Sequence, residues 1–277
     1  MFLFIINIIM HLPIFLSAFG LLINTINIPF DRGANAIGSN RAPKIIGDDL
    51  DFLNIVYNYT VDTDQSHVSN ILGDGYIYVW NTLNRDILPL VLGGDHTVAV
   101  SSISASNDYC LMNKQNLGVL WLDAHADFNT IETSPSGNIH GVPVSILCGH
   151  TLPSLSFGNY LHCDQFAYYG LRDIDALEFE RFQDNNMKIL DTSIEISEWI
   201  EKYDKIYISL DLDVIDPSEF NCTNTPVPNG ITVEKLHSVL EILKNSGKIL
   251  GMDVVEYNPD KGEDTSIITD LIKSALC

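Results

Sequence analysis

The chain has 277 residues, of which 46% are apolar and 18% charged, so its composition is that of a globular protein with a large core and excludes a disordered chain. Its formal net charge of −21 repels phosphate backbones and therefore argues against nucleic acid as a partner.

Residues 1–20 form an apolar N-terminal extension, MFLFIINIIMHLPIFLSAFG. The run is apolar enough to suggest a signal peptide or a membrane anchor, but the basic residues that normally precede such a segment are missing. Asn7, His11 and Pro13 also interrupt it. We expect a non-cleaved extension or a buried segment, with a signal or anchor as the alternative. The remaining residues, 21–277, are expected to form a single domain.

Short apolar runs typical of buried strands alternate with segments of helical periodicity from residue 21 onward. The predicted strands are residues 21–29, 87–93, 117–123, 165–171, 205–211 and 248–255, with a weaker candidate at 187–190. The predicted helices are residues 96–105, 141–150, 233–247 and 264–276, the last with Asp264 as its N-cap. This alternation predicts an α/β fold of three layers, α/β/α, with a largely parallel central sheet.

The five cysteines are Cys110, Cys148, Cys163, Cys222 and Cys277. Their number is odd, and no pair has the spacing of a metal-binding knuckle. The sequence therefore predicts reduced thiols in a reducing compartment and a cytoplasmic location. A secretory or membrane-anchored location is the alternative that the apolar N-terminus leaves open.

Four polar clusters come directly after predicted strands. They are GGDH at 93–96, DAHAD at 123–127, DLDVIDP at 211–217 and EYNP at 256–259. Ligands of parallel sheets bind outside the carboxyl ends of the strands, so we expect these clusters to meet at one edge of the sheet. Alternate side chains of an extended segment face the same way, and Gly93 and Gly94 permit a tight turn before His96.

The residue types in these clusters predict a site for two metal ions. The expected ligands are His96, Asp123, His125, Asp127, Asp211 and Asp213. Four buried carboxylates would repel one another or take up protons, and two divalent cations balance them. Oxygen ligands combined with imidazole and no thiolate favour Mn²⁺ over Zn²⁺. Any one of these clusters alone would more often be a helix cap or a core histidine.

Five motifs occur in an order that resembles the ureohydrolases, and most of all the arginases. They are GGDH, DAHADFN, SGNIHG, SLDLDVIDP and GMDVVEYNP. SGNIHG, residues 136–141, is the motif that favours arginase over agmatinase. The resemblance implies that residues 21–277 form a single arginase-like catalytic domain. It also implies hydrolysis of L-arginine to L-ornithine and urea by a hydroxide that bridges two Mn²⁺ ions.

The resemblance further implies a role for each matching residue. His96 and Asp127 would bind one manganese, His125 and Asp213 would bind the other, and Asp123 and Asp211 would bridge the two. Asp127 would also relay a proton to the leaving amine, His140 would shuttle protons, and Glu256 would pair with the guanidinium. The residues implied in binding the other end of the substrate are Asn129, Ser134, Ser136, Asp175 and Glu178.

Two alternatives remain open at the level of the sequence. One is another ureohydrolase, such as an agmatinase, a guanidinobutyrase or a formiminoglutamase. The other is a catalytically inactive ureohydrolase-like binding protein, which should have lost at least one metal ligand, whereas all six positions are filled here. The expected partner is the small molecule L-arginine, and the resemblance implies a homo-oligomer, either a trimer or a hexamer.

Overall fold

The computed structural model describes residues 20–65, 67–262 and 264–277. The predicted extension over residues 1–20 therefore lies, apart from Gly20, outside the described residues. Within the ranges that are described, no helix combines the length and the apolar character needed to cross a membrane.

Within the described residues, eight strands form one sheet in which all neighbouring strands are parallel, which confirms the predicted α/β class. They are β1 (Leu22–Ile28), β2 (Asn54–Thr60), β3 (Leu88–Gly93), β4 (Leu117–Leu122), β5 (Phe166–Tyr169), β6 (Lys188–Ile189), β7 (Lys205–Asp211) and β8 (Ile249–Val255). Their order across the sheet is β2-β1-β3-β8-β7-β4-β5-β6. The sequence did not predict β2, because this edge strand is mostly exposed and has no continuous apolar run.

In the part of the chain that the structure describes, eight α-helices connect and flank these strands. They are α1 (Ala42–Asp48), α2 (Val68–Leu83), α3 (Ala99–Met112), α4 (Pro143–Leu147), α5 (Ala176–Asp184), α6 (Ser193–Ile200), α7 (Val233–Ser246) and α8 (Ser266–Leu276). The predicted glycine stop of α7 is confirmed, since Gly247 lies in the left-handed region with φ of 67°. The predicted cap of α8 is wrong by one residue: Thr265 is the N-cap, and Asp264 accepts a hydrogen bond from Ser266 N.

Each face of the sheet carries its own hydrophobic core, which gives the three layers that the sequence predicted. On one face, α1, α6, α7 and α8 bury side chains such as Ile46, Trp199 and Leu240. On the other face, α2, α3, α4 and α5 bury Ile103 and Phe182, among others. Strands covered on both faces can be apolar along their whole length, which is why their sequences read as continuous apolar runs.

The four polar clusters found in the sequence follow the four central strands, β3, β8, β7 and β4. The chain places β1–β3 in one half of the sheet and β4–β6 in the other, and then fills the middle with β7 and β8. Connections therefore leave the central strands in opposite directions, and a crevice opens at their carboxyl ends. At this edge, Gly94 allows the backbone at Phe30 to pack closely against it, which is a different role from the predicted tight turn. A Cβ at residue 94 would lie 2.0 Å from the carbonyl oxygen of Phe30.

Candidate metal centre and substrate cavity

The six predicted metal ligands lie together at the carboxyl edge of the sheet, and we call them the metal cluster. Asp211 is the last residue of β7, and Asp213 lies in the short 3-10 turn that follows. Asp123 comes directly after β4, and His96 begins a 3-10 turn after β3. Except for His125, which is partly buried, every member of the metal cluster is buried. The predicted meeting of three separate segments is therefore present in the fold.

His96 is the centre of the first half of the metal cluster. Its Nδ1 atom lies 3.1 Å from Asp123 Oδ2, 3.3 Å from Asp127 Oδ2 and 3.1 Å from Asp211 Oδ2. It is buried and has no hydrogen-bond partner among the described residues. One nitrogen thus faces three carboxylate oxygens of different residues, which is the arrangement expected around a cation.

A buried hydrogen-bonded chain fixes which nitrogen of His96 carries the proton. Ser209 donates its hydroxyl to Asp253 Oδ1 at 2.6 Å, so its oxygen is left to accept from His96 Nε2 at 2.9 Å. Ser102 donates to the second oxygen of Asp253 at 2.9 Å. Nδ1 of a neutral His96 then presents a lone pair to the three carboxylates, and only an added positive charge removes the repulsion.

His125 is the centre of the second half of the metal cluster. Its Nδ1 atom lies 3.4 Å from Asp123 Oδ1 and 3.2 Å from Asp213 Oδ2. Asp123 therefore gives one oxygen to each histidine, and the two groups of potential ligands share this residue. Asp173 lies outside the cluster, with Oδ2 3.6 Å from His125 Nε2. The shared carboxylate agrees with the predicted bridging role of Asp123, and the bridging role of Asp211 stays a prediction.

Two residues of the candidate site have a strained backbone. Asp127 has φ of 50° and Glu256 has φ of 65°, values that side chains other than glycine seldom adopt. The segment after β4 is thus no longer an extended strand, and the left-handed turn at Asp127 helps to aim its carboxylate at His96. Simple alternation along a strand predicted the convergence, but this backbone geometry was not visible in the sequence.

The carboxylates of the metal cluster perturb one another strongly. Burial and then the charge of Asp123 raise the pKa of Asp127 well above its usual value. Burial, followed by the charges of Asp213 and Asp123, does the same for the pKa of Asp211. Although burial opposes it, hydrogen bonds from His125 and His96 hold the pKa of Asp123 low. Four ionised carboxylates are therefore not stable here without additional positive charge, which bound metal cations would supply.

The partly buried His140 and the buried Glu256 form a hydrogen-bonded pair beside the metal cluster. His140 Nδ1 donates to Glu256 Oε1 at 3.0 Å, and the same oxygen accepts from His96 N at 2.9 Å. The other oxygen of Glu256 is buried, and no described residue forms a hydrogen bond with it. Burial lowers the pKa of His140, but the hydrogen bond and charge of Glu256 outweigh it and raise that pKa to about 9. The free carboxylate oxygen is suited to a cationic guest.

A cavity of about 330 Å³ opens onto the metal cluster. Its lining includes His125, Asp127, Asn129, Ser134, Ser136, His140, Asp175, Glu178 and Asp211. The structure therefore brings all five predicted substrate-binding residues to the same cavity as three of the metal ligands. Glu256 is not part of the lining, but it is hydrogen-bonded to His140, which is.

Asn129, Asp175 and Glu178 form what we call the substrate-side cluster. Asn129 donates its amide to Asp175 Oδ2 at 2.9 Å, and Asp175 also caps α5 by accepting from Leu177 N and Glu178 N. Glu178 Oε1 accepts from Phe128 N at 2.7 Å and from Asn129 N at 3.0 Å. Burial is the largest influence on Glu178 and raises its pKa to about 7. These contacts fix the backbone that follows Asp127.

The sequence reasoning missed four residues that support the metal cluster. Trp121 stacks on the His96 ring at 4.1 Å between centroids and donates to Asp123 Oδ2 at 2.9 Å. Thr225 donates to Asp213 Oδ2 at 2.9 Å. Ser209 and Asp253 are partners across β7 and β8. Asp253 could have been noticed as a charged residue inside an apolar strand, and Ser209 as the residue two before Asp211, but Thr225 gave no signal.

Comparison with known proteins decides the family. The model of the arginase family matches residues 23–277. The chain belongs to the arginase family. Among curated relatives, the arginase of Staphylococcus aureus (strain MRSA252) is 38% identical over 209 residues, which covers 67% of this chain and 68% of that one. The arginase of Saccharomyces cerevisiae is 36% identical over 227 residues, covering 72% of this chain and 67% of the relative.

Solved structures of arginases have the same fold. Bacillus subtilis arginase superimposes with a TM-score of 0.83 at 28% identity, covering 92% of this chain and 98% of that one. Entamoeba histolytica arginase in complex with L-ornithine gives 0.82 at 27% identity, with the same coverage. This arginase-family chain is therefore a hydrolase that acts on a guanidino carbon–nitrogen bond, and its histidine–aspartate cluster fits the metal dependence of the family.

Proposed function

We propose that the chain is a binuclear manganese arginase that hydrolyses L-arginine to L-ornithine and urea. The observation that carries the proposal is the metal cluster itself. Its two groups of ligands share Asp123, the first group contains the unpartnered Nδ1 of His96, and the cluster adjoins a cavity of about 330 Å³. Membership of the arginase family supports the same conclusion.

The chemistry of the donors favours manganese. His96 and Asp127 would hold one ion, His125 and Asp213 the other, and Asp123 and Asp211 both. Carboxylate oxygens with two imidazoles and no thiolate suit Mn²⁺, while Zn²⁺ prefers fewer ligands. When bound, two divalent cations lower the pKa of water, which supplies a nucleophile at neutral or alkaline pH.

The side chains around the cluster would position the substrate and move protons. Asp127 lines the cavity and would carry a proton from the attacking water to the leaving amine. Glu256, with one buried oxygen free, would form an ion pair with the guanidinium. His140 donates to Glu256 and lines the cavity, so it would exchange protons between the site and solvent.

The far end of the cavity would recognise the amino-acid part of arginine. Ser134 and Ser136 have hydroxyl oxygens 3.4 Å apart, and both line the cavity with Asn129. They would bind the α-carboxylate, while Asp175 would bind the α-amino group with help from Glu178. Agmatine lacks the carboxylate, so a site built from these polar groups would discriminate against it.

The location and the oligomeric state of the protein are also proposed. Residues 21–277 would form one catalytic domain, which would act in the cytoplasm and associate into trimers or hexamers. Arginine would be its small-molecule partner, and nucleic acid would not bind, because the net charge of −21 repels phosphates. Analytical ultracentrifugation of the protein reports the assembly directly, and a monomer at all concentrations would contradict that part.

A urea-release assay with and without added Mn²⁺ tests the function. We expect arginine to be hydrolysed only with metal, fastest at alkaline pH, and agmatine far more slowly at equal concentration. Guanidinobutyrate and formiminoglutamate serve as further substrates, the second followed by release of its own product. Faster turnover of agmatine than of arginine would overturn the specificity. No turnover of any substrate by metal-loaded protein would indicate an inactive binding protein instead.

A further inference from the structure

Cys148 and Cys163 meet in a cavity away from the metal cluster. This cavity, of about 390 Å³, is lined by both cysteines and by His150. Cys148 follows the end of α4, and Cys163 precedes β5. A backbone hydrogen bond of 2.9 Å between the nearby Leu161 N and Leu147 O holds the two segments side by side. Both thiols are free and partly exposed, so reagents in solution can reach them.

One of the two sulfurs, that of Cys163, lies next to a histidine that is itself hydrogen-bonded to Arg181. Arg181 Nη2 donates to His150 Nδ1 at 3.1 Å, which leaves the proton of a neutral imidazole on Nε2. That atom lies 3.9 Å from Cys163 Sγ. Burial, and then the Arg181 charge, lower the pKa of His150, so the imidazole is neutral near pH 7. His150 is therefore a donor to the sulfur of Cys163.

The two thiols are not equivalent. The thiol of Cys148 donates a hydrogen bond to Cys163, which lowers the pKa of Cys163 although burial and Asp164 oppose it. The same hydrogen bond, together with burial, raises the pKa of Cys148 well above its usual value. Arg181 adds a positive charge that favours the Cys163 thiolate. Cys163 is thus the nucleophile of the pair, and Cys148 is the protonated neighbour.

The other cysteines in the described part of the chain lack this environment. Cys110 is fully buried, and burial raises the pKa of its thiol to about 12. Burial also raises the pKa of Cys222 and of Cys277. Only the pair in the cavity combines an accessible thiolate with an adjacent thiol, which are the two requirements of a redox-sensitive site.

We propose that Cys163 and Cys148 form a redox-active pair that reacts with hydrogen peroxide and closes to a disulfide. The Cys163 thiolate attacks one peroxide oxygen, the O–O bond breaks, and the hydroxide that leaves takes up a proton to become water. Cys163 is then a sulfenic acid. The sulfur of Cys148, losing its proton, attacks Cys163, and a second water leaves as the S–S bond forms. Two electrons pass from the sulfurs to one peroxide.

The test uses the reduced, metal-loaded full-length protein. One equivalent of hydrogen peroxide per chain is added, the remaining thiols are alkylated, and peptides are analysed by mass spectrometry. We expect a linked peptide that joins Cys148 to Cys163 as the main product, reversible by dithiothreitol. A main product that involves Cys222 or Cys277, or oxidation of Cys163 without any linkage to Cys148, would overturn the proposal.

Three variants separate the roles of the residues. In Cys148→Ser, the sulfenic acid at Cys163 should persist and react with dimedone. In Cys222→Ser, the matched control, the linked peptide should form as in the parent protein. In His150→Phe, alkylation of Cys163 at pH 7 should slow by about three- to tenfold, because the thiolate loses a donor. Alkylation of Cys163 in Cys148→Ser that is no faster than that of Cys222 would refute the activated thiolate.

Discussion

The metal cluster and the substrate-side cluster lie in the same cavity, but their polar atoms are satisfied in opposite ways. In the metal cluster, His96 Nδ1 faces three carboxylate oxygens without a hydrogen-bond partner. In the substrate-side cluster, Asp175 and Glu178 accept from backbone and side-chain N–H groups. The first cluster is incomplete without a cation, whereas the second is complete within the protein.

This difference indicates that the metal cluster is built to bind a ligand and that the substrate-side cluster mainly holds the backbone in place. Buried polar atoms that lack partners cost free energy, and they persist in a fold when a ligand supplies the partner. Buried carboxylates that are already satisfied contribute mainly to the shape of the backbone. We therefore expect changes in the metal cluster to remove activity and to weaken metal binding. Changes in the substrate-side cluster should alter stability and substrate preference more than the chemical step.

The largest loss is expected for Asp127→Asn. The substitution keeps the shape of the side chain but removes both a ligand charge and the group that would relay the proton, so turnover should fall by about 10²–10⁴-fold or more. Some metal should remain, because the other five ligands are intact. Urea release and metal analysis on the same sample measure both effects. Near-normal activity would refute the role of Asp127.

The matched control for this variant is Asp173→Asn. Its carboxylate is 64% exposed and lies 3.6 Å from His125 Nε2. Exposed charges interact weakly, so the loss of activity should stay below about tenfold. A loss as large as that of Asp127→Asn would mean that the rate depends on the negative charge near the site rather than on contact with the reacting atoms.

Glu256→Gln should give the next largest effect. It removes the negative charge that would bind the guanidinium, and kcat/KM for arginine should fall by about 10²–10³-fold, the usual cost of losing one partner of a buried ion pair. The pKa of His140 should also fall below its value of about 9, because the charge of Glu256 raises it. An NMR titration of His140 that is unchanged in the variant would contradict this pairing.

Ser209→Ala should weaken metal binding without touching a ligand. It removes the acceptor that holds the proton of His96 on Nε2, and such changes typically cost about 10–100-fold in metal affinity. Ser102→Ala is the control, because Ser102 donates to Asp253 Oδ2, whereas Ser209, the partner of His96, donates to Asp253 Oδ1. Competition with a fluorescent chelator measures both affinities for Mn²⁺. Equal affinities for the two variants would show that the orientation of His96 does not depend on Ser209.

Glu178→Gln should have the smallest effect on turnover but a clear effect on the pH dependence of stability. A folded-state pKa near 7, raised from 4.5, means that the native state keeps a proton that the unfolded state has lost. The stability of the parent protein should therefore fall as the pH rises from about 4.5 through 7, by up to about 3 kcal/mol. Urea denaturation across this range should show a shallower fall in the variant.

Asp175→Asn tests a contribution to the pH dependence of stability that has the opposite sign to that of Glu178. Although burial opposes it, hydrogen bonds from Glu178, Asn129 and Leu177 lower the pKa of Asp175. A lowered pKa contributes stability that is present above the unfolded value and is lost as the pH falls through the folded one. The variant should therefore be less stable than the parent protein near neutral pH, and this difference in stability should disappear as the pH falls into the acid range. The same pH profile for both variants would contradict these local assignments.

The sequence predicted the features that depend on burial and periodicity. Apolar runs covered on both faces identified the central strands, and the polar clusters after them identified the edge where His96 and Asp211 meet. Features without such a pattern were missed: β2 is mostly exposed, and α1, α2, α5 and α6 were not predicted. The positive φ of Asp127 and the contact from Thr225 depend on tertiary packing, which the order of residues does not reveal.

Two metal ions are expected to bind between the two histidines of the metal cluster. Anomalous X-ray scattering at the manganese edge, from crystals grown with Mn²⁺, tests this expectation most directly. We predict two peaks about 3.5–4 Å apart, one beside His96 Nδ1 and one beside His125 Nδ1, with Asp123 between them. A map with no peak there, or with a single peak elsewhere on the protein, would contradict the account.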